Sequence, residues 1–176
     1  MGLQLREQTI EDISGVDALM QASFGADAAA RSVWRLRQNP AIEGLKLVAE
    51  EDGNLVGSLR FWFITLAGRR ELLLGPLAVL PELRGKGVGQ ALVWHGLGIS
   101  TRSACGLCLV SGEPDYYPRF GFVPAASGQL IWPGEVDAKR LQFKELKSGA
   151  IARLPKGPIA VLHDPDPVPT LLSNRS

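Results

Sequence analysis

The 176-residue chain carries 19 Lys and Arg against 18 Asp and Glu, a formal charge of +1, and is 45% hydrophobic. That length fits one domain with a single good core, and the near-neutral charge excludes a field that draws the whole molecule to nucleic acid or membrane. No run of about 18 apolar residues is present to span a bilayer, no signal-peptide pattern opens the chain, and Arg6 stands where a myristoylation signal wants Ser or Thr; the default expectation is a cytoplasmic protein.

Residues 3–8, Leu-Gln-Leu-Arg-Glu-Gln, alternate apolar and polar and predict a first strand. Thr9 then caps a helix, with Glu11 and Asp12 in the first turn, where the macrodipole favours acids. Ile10, Ile13, Val16, Ala18 and Leu19 give that helix an imperfect apolar face. Gly25 interrupts, and a second helical stretch is predicted from about Asp27 to Gln38, ended by Asn39-Pro40; its Trp34 belongs to the core or to a cleft wall. Leu45–Glu51 and Leu55–Leu66 read as strands joined at Asp52-Gly53-Asn54. Alternation puts Arg60, Trp62 and Ile64 on one face and Phe61, Phe63 and Thr65 on the other. Gly68-Arg69-Arg70 is the next predicted turn. In the strand that begins at Leu72, Pro76 cannot donate to a ladder and predicts a bulge or an edge.

That strand leads through Leu80-Pro81-Glu82-Leu83 into Arg84-Gly85-Lys86-Gly87-Val88-Gly89, and a helical pattern follows from Gln90 to about Arg102. A strand that hands over to a helix through Gly-rich, basic sequence is a phosphate-binding arrangement, because the amides of the loop and of the first helical turn have no intrahelical partner. Gly85, Gly87 and Gly89 leave room for close approach of a ligand to the backbone, and Arg84 and Lys86 add positive charge. The NTPase phosphate loop is absent. The dinucleotide fingerprint is missed as well, since Leu92 stands three residues after Gly89. On the helix, Val88, Leu92, His95 and Ile99 recur on one stripe, so His95 is expected as a satisfied core histidine.

Cys105–Val110 is the next predicted strand. The Cys105-x-x-Cys108 spacing reads as two buried strand residues on opposite faces, in preference to a zinc pair, which needs two further ligands that His95 and His163 do not supply. Asp115–Arg119 predicts one helical turn, and Phe122-Val123-Pro124 is extended. Leu130–Trp132, Leu141–Leu146 and Ile159–Leu162 read as further strands. From His163 the proline-rich sequence is expected to be a loose tail, giving one domain over 1–162 and a tail over 163–176.

The string Arg84-x-x-Gly87-x-Gly89 resembles the coenzyme A pyrophosphate loop of the GNAT superfamily of N-acyltransferases. The preceding strand, and the block Tyr116-Tyr117-Pro118-Arg119-Phe120-Gly121-Phe122, resemble that superfamily in the same order and spacing. The wording GEPDYYPRFGFVPA is similar to a subgroup of small acetyltransferases. The resemblance implies an α+β fold, a mixed and mostly antiparallel central sheet flanked by helices and opened into a V by a splay.

It also implies a function: transfer of an acetyl group from acetyl-CoA to a primary amine, small-molecule or peptide, by direct attack in a ternary complex. Leu77, Ala78, Val79, Arg84, Gly85, Lys86, Gly87, Val88, Gly89 and Gln90 would hold the acyl donor, and the main-chain amide of Leu77 or Val79 would face the thioester oxygen. Tyr117 holds the family position of the acid that protonates the departing thiolate, against the reading that it is a core tyrosine packed beside Tyr116. An alkylamine has a pKa of about 10.4 and must lose a proton before it attacks; Glu71, Glu113 or an ordered water chain are the alternatives for that step. No metal, nucleic acid or membrane partner is implied, and a homodimer is left open. The rival reading is a non-catalytic acyl-CoA-binding module, which needs the loop but not a working Tyr117.

Overall fold

The computed structural model describes residues 2–24, 35–38, 40–165 and 169–170. The helix expected over 27–38 lies outside the described residues except at positions 35–38, and Trp34 lies outside them too. Over the described residues the chain forms one nine-stranded sheet with two α-helices. Its strands are β1 (Leu3–Glu7), β2 (Lys46–Glu51), β3 (Asn54–Leu66), β4 (Arg69–Val79), β5 (Leu107–Ser111), β6 (Val123–Pro124), β7 (Leu130–Ile131), β8 (Leu141–Glu145) and β9 (Ile159–His163). The helices are α1 (Ile13–Phe24) and α2 (Val88–Ser100).

The strand order is β1-β2-β3-β4-β5-β8-β6, and the last residues of β3 also pair with β9, which carries β7. Most neighbours are antiparallel, whereas β4 and β5 are parallel because α2 connects them. Two tight hairpins set the register of the long central strands. Asp52 and Gly53 have φ of 51° and 80°, and Ala67 and Gly68 have φ of 50° and 76°. Paired positive φ is what a two-residue hairpin needs to match strand twist. The second hairpin therefore turns at Ala67-Gly68, and Arg69 and Arg70 already belong to β4, one step earlier than the Gly68-Arg69-Arg70 expectation.

The sheet buries both faces. One packs under α2, through Leu47, Phe61, Leu72, Leu74, Leu92 and Val93 among others. The opposite face holds Leu36, Trp62, Ile64, Leu73, Leu109 and Phe143. The alternation of β3 thus behaves as the sequence predicts. Phe61 is fully buried and lies against Gly96, where a Cβ would come within 2.5 Å of its ring; the glycine lets α2 sit close on the sheet.

That contact also corrects the expected helix stripe. The buried residues of α2 are Val88, Leu92, Val93, Gly96, Leu97 and Ser100, and His95 is exposed. The buried arc is centred on Gly96, and His95 falls just past its edge at 100° per residue. A Gly in the middle of a face hides the face from a reading that looks for large apolar side chains.

Two further expectations shift. Cys105 precedes β5, so Cys105 and Cys108 pack into the same core layer under α2 and not on opposite faces; both are free thiols. His163 closes β9 opposite Ile64, and Asp164 is buried and paired with Arg70 at 3.0 Å. The chain that follows His163 is therefore held to the sheet at its start, and Thr170 bridges Glu43.

Candidate active site

The site begins with an irregularity in β4. Leu59 of β3 faces Leu77, and Phe61 faces Leu74, so one residue of β3 stands opposite Gly75 and Pro76 together. This is the bulge that Pro76 predicts. Gly75 has φ of 116°, and its carbonyl accepts the Trp62 Nε1–H at 2.6 Å instead of continuing a ladder. On the β5 side the pairing stops just before the bulge: only Leu72–Cys108 and Leu73–Leu109 are in register. Beyond them β4 runs on to Val79 and β5 to Ser111 without further ladder pairing, and the two strands open as a V.

A cleft of about 670 Å³ fills this opening, within the range of small-molecule sites. Its β4 wall includes Leu77 and Val79, and its β5 wall includes Val110 and Gly112. Past the bulge the Leu80 N–H donates to the Val56 carbonyl at 2.9 Å. In an antiparallel ladder bonded and non-bonded pairs alternate, so Ala78 bonds to β3 while the amides of Leu77 and Val79 turn away from it, towards the splay. Ala78 itself is buried and does not line the cleft.

The floor on the α2 side is the Gly-rich loop. Gly85 and Gly87 have φ of 79° and 89°, and a Cβ on either would meet no atom within 4 Å; glycine is needed there for backbone conformation and open approach. The first α-helical bond runs from the Ala91 N–H to the Gly87 carbonyl at 3.0 Å. The amides of residues 88–90 precede it and carry the positive end of the helix dipole. Arg84, Gly85, Gly87, Gly89 and Gln90 line the cleft. Lys86 does not, and the Val88 side chain turns into the core, so Val88 offers only its amide.

The aromatic block closes the far end. Tyr117 starts a 3₁₀ turn over Tyr117–Phe120. Its ring meets Tyr116 and Phe122 edge to face, at 5.1 and 5.5 Å between centroids. It also packs on the Gly112 backbone so closely that a Cβ there would overlap it. Tyr117 is buried yet lines the cleft, and burial pushes its phenol pKa well above the usual tyrosine range, with the neighbouring Tyr116 adding to the shift and the guanidinium groups of Arg37 and Arg140 opposing it. Tyr116 is half-buried and reaches the start of α2: a Cβ on Gly89 would stand 2.9 Å from its hydroxyl. Arg119 stacks on the Tyr116 ring at 4.6 Å and donates to the Tyr116 carbonyl at 2.9 Å.

The two carboxylates singled out in the sequence separate. Glu113 stands at the cleft rim, largely exposed, and accepts from Arg140 at 2.7 Å. Glu71 lies below the point where the strands part and does not line the cleft. It is buried, and its Oε2 accepts the Leu107 N–H at 2.7 Å. Burial raises its pKa, against the hydrogen bonds it accepts from Leu107 and Gly106. Its place at the β4–β5 junction makes it a tie between the strands. Gly112, Ser23 and Arg37 also belong to the cleft and escape a sequence reading. Gly112 matters only through a ring five positions on, and Ser23 and Arg37 come from chain outside both recognised blocks. Among the described residues no three His, Cys, Asp or Glu side chains cluster to hold a metal, and no helix is long and apolar enough to cross a membrane.

Comparison with known proteins agrees with this fold. The profile of the acetyltransferase (GNAT) domain matches residues 43–124, which span β2 through the aromatic block. The N-acetyltransferase YhbS of Escherichia coli K12 is 36% identical over 132 residues, covering 72% of this chain and 78% of that protein. A second protein of the same organism, the N-acetyltransferase YjhQ, is 33% identical over 65% of this chain and 66% of its own length. The crystal structure of Escherichia coli YhbS in complex with CoA superposes with a TM-score of 0.73 at 31% identity, covering 92% of this chain and 89% of that one. A GNAT family acetyltransferase from Brucella melitensis, solved in complex with acetyl-CoA, gives a TM-score of 0.68 at 26% identity, over 93% of this chain and 97% of that one.

Proposed function

The chain belongs to the GNAT acetyltransferase family, and on that premise we propose that its splayed cleft binds acetyl-CoA and passes the acetyl group directly to a primary amine. The observation that carries this reading is the opening between β4 and β5, with a Gly-rich helix N-terminus at one end and Tyr117 at the other. The amides of Gly87 to Gln90 receive the pyrophosphate, and Arg84 neutralises part of its charge. The pantetheine arm lies along the free edge of β4 past the bulge, where it completes the interrupted ladder. The reaction unit is the single domain formed by the sheet and its helices, residues 1–162 with the closing residues of β9.

The chemistry follows from what faces the thioester. The amine nitrogen attacks the carbonyl carbon, and charge builds on the carbonyl oxygen, which the Leu77 amide meets at the bulge, with Val79 next along the edge. The carbon–sulfur bond then breaks, and the sulfur takes the proton of the Tyr117 hydroxyl. The proton shed by the amine leaves to Glu113 at the rim or to water. Glu71 takes no part, because its carboxylate is committed to the Leu107 and Gly106 amides. The test is an acceptor screen with acetyl-CoA that detects released thiol, run beside calorimetry of coenzyme A binding. Expected are binding to the wild-type chain and thiol release that depends on an added amine. Absence of coenzyme A binding would overturn the reading.

A further inference from the structure

The glycines of the loop after β4 do not all serve the same end. Gly85 and Gly87 have φ of 79° and 89° and open space where a Cβ would stand, so their role is conformational. Gly89 has no left-handed backbone, and the space over it is taken. A Cβ there would stand 2.9 Å from the Tyr116 hydroxyl, and 3.4 and 3.6 Å from the side chains of Leu77 and Val79. The third glycine therefore admits a phenol. Tyr116 stands at the head of the 3₁₀ turn that follows β5, on the other side of the splay. Its hydroxyl is brought to the first turn of α2, whose amides have no intrahelical partner.

The phenol is fixed in direction and left open at its tip. Its ring meets Tyr117 and Phe120 edge to face, at 5.1 and 5.4 Å. The residue lines the cleft, and its hydroxyl makes no hydrogen bond among the described residues. Burial raises its pKa, with Arg119 opposing, so the hydroxyl keeps its proton and can donate. Arg119 is held on the same ring: its guanidinium lies 4.6 Å over the centroid, and its Nε–H donates to the Tyr116 carbonyl at 2.9 Å. These contacts use Nε and one face of the plane. Among the described residues they leave the Nη groups open to an oxyanion. Arg119 lines the cleft from the β5 side, as Arg84 does from the β4 side.

We propose that Tyr116 and Arg119 form the second half of the donor's diphosphate site, facing the Gly-rich loop across the cleft. The inference rests on the acetyl-CoA reading above and adds two binding residues to it. The Tyr116 hydroxyl donates to a diphosphate oxygen, and Arg119 neutralises charge from the wall opposite Arg84. Helix amides hold an anion from one side; a donor and a cation from the other wall complete its surroundings. Hydrogen bonds to a charged acceptor are the stronger kind.

The experiment titrates the full chain calorimetrically with coenzyme A and with dephospho-coenzyme A, which lacks the 3′-phosphate and keeps the diphosphate. Tyr116→Phe retains the ring and its packing, so thermal unfolding of the free chain should match wild type. Its affinity should fall about 10-fold for both ligands, the size of one hydrogen bond to a charged group. Arg119→Ala should lose at least as much, and Arg119→Lys should recover part of it. The fall of affinity with ionic strength should be shallower in Arg119→Ala and unchanged in Tyr116→Phe, a split that damage to the fold does not produce. Wild-type affinity in either Tyr116→Phe or Arg119→Ala would overturn the proposal. So would a loss seen with coenzyme A and absent with dephospho-coenzyme A, which would put the contact on the 3′-phosphate. Titration of the wild type is the separate control. Its failure removes the acetyl-CoA reading and this inference with it, while normal binding by wild type and variants alike removes only this inference.

Discussion

The ring of Tyr117 rests directly on the backbone of Gly112, in space that any side chain at position 112 would occupy. Gly112 ends the β5 wall of the cleft, and its N–H donates to the Arg140 carbonyl at 2.9 Å. The glycine therefore fixes where the phenol stands relative to the splay. Gly112→Ala should push the ring away, costing about 1–3 kcal/mol of stability as overpacking does and lowering turnover without changing coenzyme A affinity. Tyr117→Phe keeps the ring and loses the hydroxyl that would donate the proton. Loss of a general acid costs about 10²–10⁴-fold in rate, and a thiolate leaving group places the expected loss near the lower end. Turnover of Gly112→Ala, Tyr117→Phe and Tyr116→Phe on one amine is the comparison. Near-wild-type rates for the first two would take Tyr117 out of the mechanism.

The pH profile gives an independent view of the same hydroxyl. Burial is the main cause that raises the Tyr117 pKa, so the protonated, donating form persists to higher pH than a free phenol, whose pKa is about 10. The rate should rise with pH as the amine loses its proton and then show no descending limb below about pH 10. In Tyr117→Phe the ascending limb should remain, at reduced height. A descending limb near neutrality that vanishes in Tyr117→Phe would show a phenol far more acidic than this environment permits.

At the other end of the cleft, Gly87 has φ of 89° and open space around its missing side chain. Gly87→Ala should then cost only conformational energy, about 1–2 kcal/mol for a left-handed residue, with modest weakening of coenzyme A. Gly87→Glu adds a carboxylate where phosphates are expected and should abolish measurable binding. Calorimetry on the two variants separates backbone strain from charge. Equal affinity of Gly87→Glu and wild type would place the pyrophosphate away from this loop.

Much of this site is written locally. The Gly-x-Gly run, the Gly75-Pro76 break and the aromatic block each carry a signal within a few residues, and each is found where its signal places it. Glu71 and Glu113 illustrate the limit. Both flank strands that border the cleft, but β4 and β5 pair in register only at Leu72 and Leu73. Glu71 falls on the paired side of that junction, where it is buried, and Glu113 on the open side. Register decides this, and register between parallel strands joined by a helix leaves no local mark. His95 fails for a related reason: the residue at the centre of the α2 contact is Gly96, whose role is set by Phe61 on a different strand. Arg37 depends on the space over Gly75, a residue 38 positions away in the sequence.

Cys105 and Cys108 are free and packed in the core under α2. Burial, with the Glu71 carboxylate adding to it, pushes the Cys105 thiol up to about 11, and burial raises Cys108 further above the ordinary range. The thiolate is the reactive form. The native chain should therefore stay unlabelled by a thiol reagent at pH 8 and take up two equivalents, one per cysteine, only on unfolding. Fast labelling of the folded chain would show that this layer opens. Inert thiols also leave the released coenzyme A as the signal in a thiol-detecting assay.

The start of the chain is held by one ion-pair network whose pH dependence is readable. Arg6 donates to both carboxylate oxygens of Asp12, at 2.7 and 2.8 Å, and to Glu50 at 2.7 Å, tying β1 and β2 to the turn that begins α1. Asp12 also accepts the Thr9 N–H at 2.7 Å, closing the helix start that the sequence assigns to Thr9. The Arg6 hydrogen bonds are the main cause that holds the Asp12 carboxyl well below the usual carboxylate range, against the cost of its burial. A carboxyl with a lowered folded-state pKa contributes stability that is full above its unfolded value, near 3.9, and is lost as pH falls through the folded value. Asp12→Asn keeps the shape but not the charge. It should cost about 1.5–3 kcal/mol at pH 7, the range of hydrogen bonds to charged groups. The difference from wild type should be constant between about pH 5 and pH 8, then shrink as pH drops below about 4, where the Asp12 carboxyl of the unfolded wild-type chain protonates while that of the folded chain stays charged. Urea unfolding of both chains across that range measures it. A gap that stays constant down to pH 2 would mean that Asp12 acts through packing and not through its charge.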